Sequence, residues 1–426
     1  MGRVWQQKDK CMAPMLDPLD TVQDDLHGGR APWGRGFRPP RNVRLLESMK
    51  TDVLIVGGGI TGSLAAQHLA TRGVDVTVID REQPGLGSTA ASTAMLQWEI
   101  DCTLGELSEF YGFDRAASLY RRSAAAVQGL TGLVGGLGFD CAFRPRSTLY
   151  IAAGEVGPAA LREEHLLRQR AGLPGMLLDH AELLSRFGID RAAAILSPGA
   201  ADADPMLLSW GLLRDAAARG ARLIDAMATA YHDAPGVVTV ETDGPFVIEA
   251  RHVILATGYV MPDFVKSDLH RTASSWAIAT IPQAPGSLWP GGELIWEASE
   301  NYNYARTTAD GRIIIGGGDD DTVDPTERDS KMPEKSAKLV DDLVKLWPAA
   351  DPVVDFSWSG AFGETADGLP LIGVVPGMPR ILAAYGYGGN GITFSFMASR
   401  MLAELCAGHR EDWFDAFAID RPSPAG

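Results

Sequence analysis

The clearest pattern of apolar residues begins just after Asp52. A continuous apolar run, Val53–Val56, predicts a strand that is buried on both faces of a parallel sheet. A glycine-rich turn follows, and apolar residues then recur at helical spacing until Gly73, which predicts a helix that ends in a left-handed glycine cap. A second apolar run, Val74–Ile79, predicts the next strand. Strand, helix and strand together predict a complete βαβ unit.

Later patterns alternate between helical and strand periods. They predict a helix over 204–220, a hairpin over 237–248, a strand over 253–256, antiparallel strands over 277–281, 293–297, 302–307 and 312–316, a helix over 329–347, strands over 371–375 and 381–384, and a helix over 391–406. This order predicts an α/β protein in which a discontinuous Rossmann-type domain is interrupted by a second α+β domain with an antiparallel sheet. The expected bounds are 51–138, 191–262 and 356–426 for the first domain, 139–190 and 263–355 for the second, and 1–50 for an N-terminal extension.

Residues 1–48 show neither period, and prolines and glycines interrupt them. This composition favours a flexible arm over the alternative, which is a packed segment. Because Met49 directly precedes the first strand, we also expect Met49 to be the true start of the native chain.

Composition and charge narrow the functional classes. The 426 residues are enough for two or three domains, and the formal net charge is −16. The acidity lies in residues 51–426, since residues 1–50 are net basic, and it argues against nucleic acid as a main partner. Four scattered cysteines without C-x-x-C spacing indicate a reducing compartment, the cytoplasm, and no apolar stretch is long enough to predict a membrane span. The oligomeric state stays open.

The turn of the βαβ unit, Gly57–Gly62, has the spacing G-x-G-x-x-G. In such a turn Gly57 permits the tight bend, Gly59 lets a pyrophosphate approach the backbone, and Gly62 lets the helix pack closely on the strand. The helix amino terminus offers N–H groups to the phosphates. Asp80, 18 residues past Gly62, is placed to accept hydrogen bonds from a ribose. The pattern predicts dinucleotide binding, and the alternative is a structural turn.

Four further segments follow this fingerprint in order. They are a Gly/Ser-rich loop at 85–92, Ala-Thr-Gly at 256–258, a segment from Trp-Ser-Gly at 358–360 through 367–373, and Gly-Tyr-Gly-Gly-Asn-Gly-Ile at 386–392. Together with the fingerprint they resemble the D-amino-acid oxidase-like (DAO) superfamily of FAD-dependent amine and amino-acid oxidoreductases, over most of residues 51–408. The resemblance implies FAD bound in an extended form, with its ring between the two domains.

The resemblance also implies which residues hold FAD. The expected cofactor-binding residues are Gly57, Gly59, Ile60, Thr61, Gly62, Asp80, Arg81, Gly87, Ser88, Thr89, Ser92, Thr257, Gly258, Gly388, Gly389, Asn390, Gly391, Ile392 and Thr393. Near Gly391 the glycines let backbone lie against a planar ring, and the positive end of the last helix favours the anionic reduced flavin; the alternative is an unrelated turn. Because no Cys or His lies near 88–92 or 385–391, we expect noncovalent FAD.

The resemblance further implies that substrate-facing residues lie on the antiparallel strands. Tyr302, Tyr304 and Arg306 alternate, so they share one face of a strand. There a charged Arg306 beside two phenols would hold an anionic group; the alternative is an exposed strand face. Together with Tyr387 and Asn390, these residues form the expected catalytic set.

Further positions bear on the substrate. Trp276 and Trp296 are candidate walls of the cavity, and the alternative is ordinary packing. By resemblance, Phe362 stands where several amino-acid oxidases carry a carboxylate-binding arginine, which admits an amine or a differently held acid. No lysine occurs at 312–316, where some sarcosine oxidases carry an oxygen-activating lysine, so the electron acceptor stays open.

These features predict a FAD-dependent oxidoreductase that oxidises the C–N bond of an amine or amino acid by hydride transfer to flavin N5. Two alternatives remain: oxidation of a C–O bond in a hydroxy compound, and a flavin-binding subunit of a larger redox complex. No metal is expected, because the eight histidines lack metal-ligand spacing and the run Asp319–Asp321 is typical of a solvated hairpin end.

Overall fold

A computed structural model describes Thr21 and residues 25–423 of the protein. The strands in chain order are β1 His27–Gly29, β2 Val43–Arg44, β3 Met49–Val56, β4 Val76–Asp80, β5 Met95–Leu96, β6 Arg144–Ala152, β7 Met176–Asp179, β8 Ala193–Asp202, β9 Arg222–Asp225, β10 Ala228–Ala234, β11 Val237–Thr242, β12 Val247–Leu255, β13 His270–Thr280, β14 Leu294–Ala298, β15 Asn303–Thr307, β16 Ile313–Asp320, β17 Val354–Thr365, β18 Leu371–Val375 and β19 Met378–Tyr385. The α-helices are α1 Ile60–Thr71, α2 Ser88–Ala91, α3 Leu104–Tyr111, α4 Phe113–Leu137, α5 Pro158–Arg170, α6 His180–Phe187, α7 Pro205–Ala218, α8 Pro325–Ser330, α9 Met332–Leu346 and α10 Gly391–Cys406. Short 3₁₀ turns span Pro290–Gly292, Gly388–Asn390 and Asp412–Phe417.

The first sheet carries the βαβ unit β3-α1-β4. Its parallel strands lie in the order β2-β9-β4-β3-β12-β19, and β10, β11 and β18 extend it by antiparallel pairing. β3 is buried on both faces: Val53 and Ile55 pack in the same cluster as Leu64 of α1, whereas Leu54 and Val56 pack on the opposite face. The predicted parallel strand and the βαβ unit are confirmed.

Helix ends follow local capping signals. Asp204 caps α7 by accepting hydrogen bonds from the N–H groups of Met206 and Leu207, at 2.9 and 3.0 Å. Gly73, with φ of +76°, follows the end of α1. The last helix, α10, has the predicted bounds. The helix predicted over 329–347 is instead two helices, and Pro333 lies in the first turn of the second.

The second sheet is wider than predicted. Its order is β1-β17-β13-β16-β15-β14-β6-β8-β5, with β7 beside β8, and every pair is antiparallel except β14 with β6. It includes β8 and β17, although the expected bounds place 191–262 and most of β17 in the first domain. The expectation is wrong for these strands because an alternating pattern identifies a strand but not the sheet that it joins. The remaining domain bounds stay predictions.

Parts of residues 25–48 pack against the folded body, so the expected flexible arm is wrong for these parts of the chain. β1 pairs with β17, and Trp33 is only 7% exposed. The indole Nε1 of Trp33 donates a hydrogen bond to the carbonyl of Ser92 at 2.8 Å. Isolated anchors of this kind leave no periodic signal in a sequence. The rest of the expected arm lies outside the described residues, and the start at Met49 stays a prediction.

Replacing Trp33 tests whether this segment belongs to the folded body. We expect Trp33→Ala to lower the free energy of unfolding by about 3–5 kcal/mol, because it empties a site between Leu86, Met206 and Trp210. Phe37→Ala is the control: Phe37 is 52% exposed, so we expect a change below about 0.5 kcal/mol. Denaturant unfolding of both variants measures the difference, and equal stabilities would contradict the packing described above.

Candidate active site

A cavity of about 600 Å³ lies between the two sheets. Its lining runs from the carboxyl ends of β3 and β4, along the loop before α2 and the start of α10, to the face of β13–β16. The carboxyl edge of parallel strands is the usual ligand edge of such a sheet. A ligand in this cavity would therefore touch both sheets.

Two of the fingerprint glycines, Gly57 and Gly62, are needed for close packing of the backbone, and the third, Gly59, is open to the cavity. Gly57 has φ of +105°, and a Cβ there would lie 2.3 Å from the carbonyl oxygen of Ala256. A Cβ on Gly62 would lie 1.9 Å from the carbonyl oxygen of Gly57. Gly59 lines the cavity in ordinary extended backbone, and a Cβ there would meet just the Thr89 hydroxyl, at 3.0 Å. The open face of Gly59 fits a pyrophosphate.

Asp80 lines the cavity beside the fingerprint. Its Oδ2 accepts a hydrogen bond from the N–H of Gly58 at 2.7 Å, and its Oδ1 accepts from the N–H of Glu82 at 3.0 Å. Burial raises the pKa of Asp80 to about 6, against the opposing effect of these hydrogen bonds. Each carboxylate oxygen retains a second lone pair, so Asp80 can still accept from a ribose hydroxyl. The adjacent Arg81 is ion-paired with Asp25 at 2.7 Å.

The start of α10 forms the middle of the cavity wall. The hydroxyl of Thr61 lies 3.1 Å from the Tyr387 hydroxyl and 2.7 Å from that of Ser395, which ties α10 to α1. A Cβ on Gly391 would meet no atom within 4 Å, so this backbone is open to the cavity, as a planar ring would require. At Gly388 the backbone lies close to a side chain of the protein itself, since a Cβ there would lie 2.0 Å from Asp101 Oδ2.

Asn390 and Thr393 do not line the cavity. The amide of Asn390 donates to the carbonyl of Glu99, and the hydroxyl of Thr393 donates to the carbonyl of Gln97 at 2.9 Å. Both side chains are 1% exposed. These two side chains hold the glycine-rich turn against the segment after β5, and their expected contact with FAD or substrate stays a prediction.

Arg306 is also placed away from the cavity. Its guanidinium donates to the carbonyls of Thr93, Ala94 and Ala203 at 3.0, 2.6 and 3.1 Å, and the residue is 2% exposed. Burial lowers the pKa of Arg306 to about 10. The alternation along β15 is correct, but the strand extends past the cavity, and Arg306 braces a loop there instead of lining the cavity.

Aromatic rings form the end of the cavity beneath the second sheet. The ring centroids of Tyr302 and Tyr304 are 6.1 Å apart, and Tyr150 stacks on Trp296 at 3.9 Å. Trp276 lines the same end, so both predicted tryptophans reach the cavity. Burial raises the pKa of Tyr304 to about 12 and that of Tyr302 well above its usual value, so both phenols are protonated at neutral pH.

Two carboxylates face this aromatic end. Asp101 and Asp319 both line the cavity, and burial raises the pKa of each, to about 6 for Asp101. Asp319 is exposed, as expected of a solvated hairpin end, but its side chain also lines the cavity. The next residue, Asp320, pairs with Lys331 at 3.1 Å.

Most of the predicted site residues reach the cavity. Those that line it are Gly57, Gly59, Ile60, Thr61, Asp80, Arg81, Gly87, Ser88, Thr89, Ser92, Thr257, Gly258, Tyr302, Tyr304, Gly388, Gly389, Tyr387, Gly391 and Ile392. Lining residues that the sequence did not predict include Asp25, Leu26, Asp101, Tyr150 and Tyr259. They lie in loops or on a strand outside the recognised motifs, where periodicity carries no functional signal.

Metal-ligating clusters and membrane-crossing helices are both absent from the part of the chain that the structure describes. No group of three or more His, Cys, Asp or Glu side chains there is arranged to hold a metal ion. No helix in the same residues has the length and apolar character needed to cross a membrane.

Comparison with known proteins gives consistent matches. A protein-family model described as DAO, FAD dependent oxidoreductase, matches residues 52–405. Gamma-glutamylputrescine oxidoreductase of Escherichia coli (strain K12) is 28% identical over 385 residues, covering 88% of this chain and 87% of that protein. Glycine oxidase of Bacillus licheniformis is 26% identical over 394 residues, covering 87% and 97%.

Solved structures share the fold. Glycine oxidase from Geobacillus kaustophilus superposes with a TM-score of 0.73 at 21% identity, covering 88% of this chain and 99% of that one. L-proline dehydrogenase from P. horikoshii gives 0.71 at 20% identity, covering 88% and 98%. The predicted fold class is confirmed.

Gly59 offers a direct test of the dinucleotide site. We expect Gly59→Leu to lower FAD retention at least about tenfold, because the new side chain occupies cavity space without straining the backbone. Flavin absorbance per protein after gel filtration is the measurement, with circular dichroism to confirm folding. Gly136→Leu in α4, where a Cβ meets nothing within 4 Å, is the control and should keep its yellow colour. A fully loaded Gly59→Leu protein would refute the assignment.

Proposed function

Because the chain belongs to the DAO family of FAD-dependent oxidoreductases, we propose that it oxidises the C–N bond of an amine or amino acid. The observation that carries the proposal is the continuity of the cavity, which joins the dinucleotide fingerprint to an aromatic end lined by carboxylates. Relatives named for amines and amino acids support the same bond type.

The residues present fit FAD. Gly59 and Gly391 open backbone to the cavity, and Asp80 lies at the end of β4 with acceptor capacity. We propose that the fingerprint holds the pyrophosphate, that Asp80 binds the ribose and that the start of α10 lies against the ring. When bound, FAD supplies the chemistry by accepting a hydride from the carbon next to the substrate nitrogen.

The protein contributes orientation and the exclusion of water. Trp276, Trp296 and Tyr150 place ring surface at the substrate end, where they can orient a substrate and displace water. Since Tyr302 and Tyr304 keep their protons at neutral pH, they act as walls and hydrogen-bond donors and not as bases. No base on the protein is required if the amine reacts in its neutral form.

Two further proposals concern the cofactor link and the compartment. Among the described residues that line the cavity none is a Cys or a His, which supports noncovalent FAD. Acid denaturation should then release all flavin from the protein.

Cys102, Cys141 and Cys406 are free thiols, which supports a reducing compartment such as the cytoplasm.

Anaerobic mixing tests the reaction class. We expect at least one amine or amino acid to bleach the flavin of the holoenzyme, because the C–N substrate reduces it, while free FAD with the same compound stays yellow. Bleaching by hydroxy compounds alone would favour C–O oxidation instead. Absence of bleaching by either panel until a second, co-purifying chain is added would favour a redox subunit. Admitting air after bleaching then separates an oxidase, whose colour returns quickly, from a dehydrogenase.

A further inference from the structure

Two carboxylates stand without a charge partner at the substrate end of the cavity. Asp101 Oδ2 accepts a hydrogen bond from the N–H of Gly389 at 2.7 Å, which holds it beside the start of α10. Asp319 lies near the end of β16, and both side chains are open to the cavity. Among the residues that the structure describes, neither forms an ion pair with a Lys, Arg or His.

The rest of the cavity does not neutralise them. Arg81 is the one basic residue among the described lining residues, and it is paired with Asp25 beside the fingerprint. Glu297, a further lining carboxylate, is balanced by Arg191 at 3.4 Å. The substrate end therefore has a net negative charge that comes from Asp101 and Asp319.

Charged side chains on the neighbouring helix and strand do not neutralise Asp101 and Asp319. Lys335 on α9 donates to the carbonyl of Gly318 at 2.6 Å and lies 3.5 Å from Asp320, so it offsets the field at Asp319 only in part. Glu364 on β17 adds negative charge nearby, although it is paired with Arg271 at 2.7 Å. The charges of Asp319 and Glu364 are among the causes that raise the pKa of Asp101, after burial itself. A cation bound between the two carboxylates would relieve this repulsion.

The surrounding rings favour the same kind of ligand. Tyr302, Tyr304 and Trp296 present aromatic surface at this end. Trp276 lies there too, but the ammonium of Lys335 already lies 4.4 Å from its ring centroid. Aromatic faces attract cations, and the attraction grows as water is excluded. Phe362 adds an apolar wall on β17 and no positive charge.

We propose that this end of the cavity selects a diamine, with Asp101 and Asp319 binding the ammonium group that does not react. The inference rests on the proposed C–N oxidation and specifies its substrate class. An α-amino acid would bring a carboxylate next to the reacting carbon, where no described lining residue offers a free cation to receive it. Its binding is therefore disfavoured by the same charges that favour a diamine.

The first test compares substrates that differ in charge. We expect the holoenzyme to oxidise 1,4-diaminobutane with a kcat/KM at least about tenfold above that for butylamine, 4-aminobutanoate or glycine, the scale of one charge-assisted hydrogen bond. Raising the salt concentration should increase KM for the diamine most. A preference for glycine or 4-aminobutanoate would overturn the proposal.

The second test removes one charge at a time. We expect Asp319→Asn and Asp101→Asn each to raise KM for 1,4-diaminobutane about tenfold with little change in kcat, and to narrow the advantage of the diamine over 4-aminobutanoate. Asp321→Asn removes the same charge from an exposed side chain that is 86% accessible, and it should change neither KM nor this preference.

The outcomes separate two kinds of failure. If no amine or amino acid bleaches the flavin, the proposed function itself is wrong. If amines bleach it without charge preference, or if Asp319→Asn lowers kcat/KM equally for all compounds while FAD content is unchanged, C–N oxidation stands and the diamine assignment is overturned.

Discussion

The two sheets can share one cavity because the segment after β5 holds the start of α10 in place. The side-chain amide of Asn390 donates to the carbonyl of Glu99, and the N–H of Gly389 donates to Asp101. Glu99 in turn accepts a hydrogen bond from Thr148 of β6, at 2.5 Å, and so reaches the second sheet. Since Glu99 is fully buried, losing Asn390 or Thr148 would leave a polar group of Glu99 unsatisfied in the interior.

The same segment carries two carboxylates, Glu99 and Asp101, in different surroundings. The Glu99 carboxylate lies 3.7 Å from the guanidinium of Arg168, which also bonds Glu164 at 2.7 Å, so this charge is balanced inside the protein. Asp101, two residues later, faces the cavity without such a partner. A structural carboxylate and a carboxylate available to a ligand thus lie almost next to each other in the chain, and the folded structure alone distinguishes them.

The sequence predicts well those structural features that depend on residues close to one another in the chain. The strand at Val53–Val56 and the fingerprint can be predicted because continuous apolar residues and this glycine spacing rarely occur together outside a βαβ unit. Arg306 shows the limit: its face on β15 follows from alternation, but the length of the cavity beneath that face does not. Trp33 and Asp101 lie in irregular segments, so their partners are distant in the chain and no local pattern identifies them.

The short strand β1 has a consequence for how the protein behaves in solution. The second sheet ends in this three-residue strand on one side, while the two-residue β5 and the four-residue β7 share the other. Unpaired backbone at a sheet edge is a template for strand addition by another chain. By covering Trp358–Gly360 in the middle of the longer β17, β1 divides the outer edge of that strand into two shorter stretches. A segment without periodicity in the sequence thereby shortens the continuous edge that the widest sheet offers to a strand of another chain.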